Sequence, residues 1–347
     1  MKKEVEKKVF YKKRKKWPWI LLIVFIILIL AGAAFGLFIN KTLATPAGTN
    51  TEAKIFSVDA GSGNAKIATD LKSQGLIKYP WLFLGYIRYK NLNNKMQVGK
   101  YELKSTMTIS EIADILSQGK VKENQVTFPE GFTIDQMAKR LEEQNIVKAA
   151  DFKKATKVYY PFRFLDDRPR VNNLEGFLFP DTYKFTLDAT ADNIVEKMLN
   201  NFDKKLTDQM RQDIKKTNMN IYEVITMASI IEKEVPNLED QKIVAGIFYK
   251  RWNSDMPLQS CATLQFILKT NKKIFSQADT QVASPYNTYL HKGLPPGPIC
   301  NPGLLAIEAA IYPSKTDYLY FLSASNGRTI FAKTYEEQLA NQEKYLK

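Results

Sequence analysis

One feature limits everything else this chain can fold into: "WPWILLIVFIILILAGAAFGLFI", Trp17 to Ile39, runs for 23 residues without a charged side chain. A bilayer core takes about 20 consecutive apolar residues, whereas the apolar part of a cleaved signal peptide is only ~7–15 long. The run therefore reads as a retained transmembrane helix. Before it stands "MKKEVEKKVFYKKRKK", residues 1–16, with nine Lys or Arg against two Glu. Basic residues collect on the cytoplasmic side of a span. The tail is thus expected in the cytoplasm, and everything beyond the span on the outer face of the cell membrane, in a single pass. Trp17 and Trp19 suit the headgroup interface.

The formal net charge of +14 would suggest nucleic acid as a partner, but seven of those charges, nine minus two, belong to the tail. Topology accounts for that half. The remainder is spread over an extracytoplasmic body, where the anionic polymers of an envelope are nearer neighbours than nucleic acid, which is not expected.

Residues 40–53, "NKTLATPAGTNTEA", lack periodic apolar positions and read as a linker. The span 54–122 holds two strand-like stretches, "KIFSV" (54–58) and "VGKYEL" (98–103), around two helical ones, "NAKIATDLKSQGLI" (64–77) and "YPWLFLGYIRYKNL" (79–92). "DLKSQG" at 70–75 recurs as "DILSQG" at 114–119, and the helix-like 133–147 ends in the same way with Asn145. The echo is either ordinary helix-ending chemistry or the mark of a wall-binding module similar to the LysM strand–helix–helix–strand fold. From 123 to 347 helices and short strands mix without regular βαβ alternation, which predicts an α+β domain. No Gly-rich phosphate loop is present.

His291 is the only histidine, so no multi-histidine metal site can form and any Ser–His–Asp arrangement would have to use it. Cys261 and Cys300 are too few for a Cys/His zinc site. No metal or cofactor is expected. On the oxidising side of a membrane an even pair of cysteines is economically read as a disulfide, with free buried thiols as the alternative. The chemistry left for an enzyme is that of carboxylates aided by amides and hydroxyls.

Advancing about 100° per residue from Ile221 to Val235 puts Ile221, Val224, Ile225, Ala228 and Val235 on one face, and Glu232 falls among them. Glu223 and Glu234 fall on the opposite face. An inward Glu has a raised pKa, as a general acid requires, though a buried Glu satisfied by a cation or backbone donors fits the wheel equally. Pro236 ends the helix within a turn, opening it into a loop.

Four loop-like stretches supply amides and aromatic rings of the kind that line a sugar cleft: 172–185, 256–266, 284–303 and 312–321. From them Glu175, Asp181, Tyr183, Gln259, Ser260, Tyr286 and Asn287 are candidate substrate-binding residues. Glu175 could equally be a structural acceptor, and "DYLYF" (317–321) reads as a buried strand.

Taken in order behind a single span, "LEGFLFPDTY", "ASIIEKE", "MPLQS", "SPYNTY", "GLPPGPI", "NPG" and "YPSKTDYLYF" resemble the YceG-like family of endolytic murein transglycosylases, over essentially all of 54–347. The resemblance implies a LysM-like subdomain ahead of a catalytic domain and a catalytic glutamate in "ASIIEKE", which is Glu232, with Glu234 the weaker candidate. It also implies peptidoglycan glycan strands as substrate and wall synthases such as penicillin-binding proteins as neighbours. Family members often carry Asp-Pro after "LQS"; here Cys261 and Ala262 stand instead, and a Cys261–Cys300 bond would fix the two loops.

The implied reaction breaks the β-1,4 bond from N-acetylmuramic acid to N-acetylglucosamine within a strand and leaves a 1,6-anhydro end. One carboxyl can act first as acid and then as base, because the second nucleophile is the sugar's own C6 hydroxyl. A lysozyme-like hydrolase needs a second acid, for which Glu175 or Asp181 is available. A non-catalytic wall-binding scaffold is the third possibility.

Overall fold

The uncharged run folds as helix α1, Trp17–Ala44, in a computed structural model that describes residues 17–272, 274–324 and 326–346. The basic tail expected in the cytoplasm lies outside the described residues. At 1.5 Å per residue the 28 residues of α1 reach about 42 Å, more than a hydrocarbon core of ~30 Å. Side chains from Ile20 to Leu30 are exposed, so α1 is the one candidate membrane span among the described residues. It continues past Ile39 through Ala44, into the stretch expected to be linker. It stops where Pro46 disfavours the helical conformation for Thr45.

The chain divides into two compact units, Met1–Lys122 and Glu123–Lys347. In the first, β1 (Ala53–Val58) is followed by α2 (Asn64–Ser73), α3 (Pro80–Tyr89), β2 (Gly99–Lys104) and α4 (Ile109–Ser117). β1 and β2 pair antiparallel with Phe56 opposite Tyr101. Alternation along the strands sends Phe56, Val58, Tyr101 and Leu103 into one core. Ile67 and Leu71 of α2, Phe83 and Ile87 of α3, and Ile112 and Leu116 of α4 close it. The repeated Gln-Gly endings and their Asn counterpart have a local cause. Gly75, Gly119 and Asn145 adopt φ of 71°, 64° and 54°, the left-handed turn that terminates a helix.

The C-terminal turns of α1 belong to this unit. Ile39 and Leu43 pack against its core. Phe35 stacks on Trp81 with centroids 6.4 Å apart, and Phe38 meets Tyr79 at 6.2 Å.

The second unit begins with β3 (Glu123–Thr127), then α5 (Ile134–Glu143), α6 (Ala149–Ala155), a 3-10 turn at Arg163–Leu165 and β4 (Thr182–Thr186). β3 and β4 pair antiparallel, Val126 opposite Tyr183. A reciprocal Thr133–Gln136 capping box starts α5. There follow α7 (Ala191–Lys205), α8 (Asp208–Lys215), α9 (Ile221–Glu232), α10 (Leu238–Asn253), α11 (Cys261–Leu268), the short α12 (Gln277–Thr280) and α13 (Leu304–Ile311). A hairpin of β5 (Tyr320–Ser323) and β6 (Thr329–Ala332) is covered by α14 (Tyr335–Tyr345). Each sheet among the described residues has two strands, so the architecture is mixed α+β. The "DYLYF" strand is less buried than expected: it runs Tyr320–Ser323, with Tyr320 and Phe321 only half-buried.

At the centre lies α9, packed between α10 and α13. It is apolar almost all round, and Tyr222 and every residue from Val224 to Ile231 are buried. Its Thr and Ser hydroxyls bond within the helix, Thr226 to the Tyr222 carbonyl at 2.8 Å and Ser229 to the Thr226 carbonyl at 2.7 Å.

Truncating the core of the first unit tests this assignment. Leu71→Ala is expected to lower that unit's stability by ~2–5 kcal/mol, read as a shift of the urea midpoint. Thr69→Ala on the exposed side of the same helix should stay within ~0.5 kcal/mol.

Candidate active site

Glu232 is the last residue of α9 and is half-buried. Its Oε2 accepts the N–H of Gly303 at 3.0 Å. That glycine is the N-cap of α13, so the donor sits at the positive end of a helix. Among the described residues no hydrogen bond engages Oε1. Burial pushes the Glu232 carboxyl up to about 7; the Gly303 N–H opposes this, the nearby Glu130 adds to it, and Lys233 opposes it. A carboxyl with one oxygen pinned by an N–H and the other unengaged places its proton on the free oxygen.

Glu130 lies over Gly303, in the space a side chain would take. A Cβ at Gly303 would collide with the Glu130 carboxylate. The φ of Gly303 is an ordinary −76°, so a side chain there would displace the exposed Glu130 carboxylate rather than strain the backbone.

Glu175 is nearly sealed, 9% exposed. Both its oxygens accept the N–H of Ile134, the first residue of α5, at 3.1 Å. Asn301 Nδ2 donates to Oε1 at 2.8 Å. Burial raises the Glu175 carboxyl to about 8, with those donors opposing and Asp135 contributing to the rise. Its acceptor role is structural.

Asn301, fully buried, was not singled out by the sequence. Its Nδ2 also donates to the Phe132 carbonyl at 2.9 Å, and its Oδ1 accepts the N–H groups of Gly176 and Leu178, both at 2.9 Å. Its own N–H donates to Phe132 and its carbonyl accepts from Gly131, each at 2.9 Å. One amide thus ties together three segments, 131–132, 175–178 and 301–303. An Asn before a proline in "CNPG" was the available signal, but it reads first as a turn.

Glu234 overturns the helical wheel. α9 ends two residues earlier, so the 100° advance no longer applies, and Glu234 turns inward to accept the Ser260 hydroxyl. Burial raises its carboxyl, while Ser260, the Ala262 N–H and Arg251 oppose the shift. Ser260 is buried and caps α11, its Oγ accepting the Ala262 N–H at 3.2 Å.

The remaining candidates separate. Asp181 and Tyr183 line a different cavity with residues of α7. Tyr183 is 5% exposed, its hydroxyl donating to the Phe179 carbonyl at 2.7 Å and accepting from Asn201 at 2.9 Å. Asn287 is wholly buried and staples its own loop, donating to the Thr280 and Val282 carbonyls at 3.0 and 2.9 Å. Gln259 is exposed, with φ of 53°. Tyr286 is half-buried and packs on Phe266, centroids 5.0 Å apart.

The expected disulfide is not formed; both thiols are free. Cys300 Sγ donates to the Ser229 carbonyl inside α9 at 3.2 Å, while Cys261 Sγ and the Tyr289 hydroxyl bond at 3.1 Å. Each sulfur faces its own partner, and burial holds both thiols above their ordinary range.

Residues 56–344 match the YceG-like family. A Bacillus subtilis protein named endolytic murein transglycosylase is 33% identical over 333 residues, 92% of this chain and 91% of the relative. A Streptococcus pneumoniae protein of the same name is 32% identical over 351 residues, and this chain spans 63% of its length. The crystal structure of a yceG-like protein from Listeria monocytogenes is similar with a TM-score of 0.58 at 35% identity, covering 84% of this chain and 99% of that one.

Two substitutions probe the buried network. Between pH 4.5 and about 8 folded Glu175 keeps a proton that the unfolded chain has lost. Stability is therefore expected to fall as pH rises through this window, by up to ~1.4 kcal/mol per pH unit, and Glu175→Gln should flatten that fall in denaturation curves. Asn301→Ala strands two buried N–H donors and is expected to cost at least about 3 kcal/mol by the same measurement.

Proposed function

The chain belongs to the YceG-like family, and on that footing we propose that it is an endolytic murein transglycosylase, a lyase that cuts inside nascent peptidoglycan strands and so limits their length. The observation that carries the reading is Glu232: half-buried, protonated up to about pH 7, one oxygen anchored by Gly303 and the other unengaged.

In this mechanism Glu232 Oε1–H protonates the oxygen leaving C1 of N-acetylmuramic acid as oxocarbenium character develops. The resulting carboxylate, stabilised by the Gly303 N–H at the start of α13, takes the proton of the C6 hydroxyl. That oxygen closes on C1 and forms the 1,6-anhydro ring. Charge forms on Glu232 after the first transfer, where a fixed donor already waits. A pKa near the working pH suits a group that must both give and take a proton.

Hydrolysis is the second reading. Glu175 is sealed among donors and Asp181 lies in another cavity, which leaves Glu130 as the acid beside Glu232 that could activate water.

Around this chemistry we place α1 as a single-pass anchor, with the N-terminus cytoplasmic and the rest outside; the basic tail and the uncharged run support this. The β1–α2–α3–β2 order supports a LysM-like, wall-binding reading of 54–122, with 123–347 as the catalytic domain. Membrane-bound wall synthases such as penicillin-binding proteins are the proposed partners, since nascent strands emerge from them.

Glu232→Gln is expected to lower formation of anhydro ends by ~10²–10⁴-fold, read by mass spectrometry of digested strands. Because the proton donor is lost as pH rises, wild-type kcat/KM should decline about tenfold per pH unit above pH 7. Reducing ends in place of anhydro ends would establish hydrolysis instead.

A further inference from the structure

The second unit holds a cleft of about 500 Å³ that the acid chemistry leaves unused. Lys153 from the last turn of α6, Lys157 just beyond it, Lys233 just beyond α9, and Lys269 just beyond α11 all line it, together with Asp135, Glu175 and several amide and hydroxyl side chains. Asp135 engages Lys153 at 2.7 Å and Lys269 at 3.4 Å. Among the described residues Lys157 and Lys233 make no salt bridge; Lys233 Nζ reaches the Gly131 carbonyl at 3.4 Å, and its charge acts on the adjoining Glu232. With Glu175 protonated at neutral pH, the four ammonium groups that line the cleft share one lining carboxylate, Asp135.

This cationic cleft abuts the acid. Lys233 follows Glu232 directly, and both flank Gly131: a Cβ there would lie 3.3 Å from Lys233 Cδ and 3.5 Å from Glu232 Cγ. The sugars of a glycan strand do not call for such charge. N-acetylglucosamine is neutral, and the lactyl group of a stem-bearing muramic acid is an amide. The peptide stem that this lactyl group carries is acidic, and it leaves C3 of the same ring whose C1–O bond is to be cut.

We propose that the cleft is the subsite for the peptide stem on the muramic acid at the scissile bond, binding its carboxylates, so that the enzyme selects stem-bearing strands over bare glycan. The inference rests on the transglycosylase reading and adds the substrate class that the site prefers. Its volume is in the range of small-ligand sites, and exposed lysines impart selectivity that weakens with salt.

The test uses the full chain in detergent with two substrates: strands polymerised from the lipid-linked disaccharide pentapeptide, and the same strands after an amidase has removed the stems. Wild type is expected to form anhydro ends from stem-bearing strands with roughly tenfold higher kcat/KM, a ratio that shrinks as salt is raised. Lys157→Glu, at an exposed position where folding is not at stake, should bring the ratio near one, chiefly through KM. Lys157→Gln should fall between. Equal cleavage of both substrates by wild type, or preference for the bare strands whose lactyl carboxylate is free, would overturn the stem subsite while leaving the transglycosylase reading intact. Absence of anhydro ends from either substrate would remove both.

Discussion

The site depends on a single buried amide. Asn301 spends its full hydrogen-bonding capacity on the 131–132 turn, the 175–178 loop and Glu175. Once Asn301 is held, Gly303 follows two residues later with its N–H aimed at Glu232. The acid's anchor is thus positioned by a network that never touches the acid. In a low-dielectric interior such a network is stabilising only when it is complete, and here the N–H groups of Gly176, Leu178 and Ile134 all find acceptors.

The same region contains two carboxyls that burial keeps protonated near neutrality, and accessibility separates their roles. Glu175 is buried at the edge of the cleft, with both oxygens occupied by N–H donors of the fold. Glu232 ends a helix, is half-buried, and keeps one oxygen unengaged. A raised pKa alone would have ranked Glu175 first; the greater exposure and the free oxygen favour Glu232. Glu130 adds a further pressure, its nearby carboxylate disfavouring ionisation of Glu232.

Much of this was legible in the sequence. The uncharged run, the helices of the first unit and the apolar surroundings of Glu232 follow from length and period. The errors trace to physical causes outside that period. Glu234 was assigned outward because the wheel was carried past the helix end, and α9 is buried on all sides, so "inward" and "outward" lose their meaning along it. Tyr183 and Asn287 have the residue types of a sugar cleft but satisfy backbone groups in the fold, a use that composition cannot distinguish. Cys261 and Cys300 made an even pair, yet pairing depends on where two side chains point. Asn301, Glu130 and Gly303 were missed because their roles come from segments that are distant in sequence and meet only after folding.

The ring contacts between α1 and α3 bear on how the first unit behaves at a bilayer. Phe35 lies four residues before the end of the uncharged run, about one helical turn inside it, and Trp81 stacks on it. With α1 in a membrane, Trp81 and Tyr79 are drawn into the interfacial layer, where amphipathic rings are at home. The unit is then moored flush with the lipid surface, without the vertical play that a loose tether would allow. Any force on this unit would load the anchor directly, as on a peg set in its board.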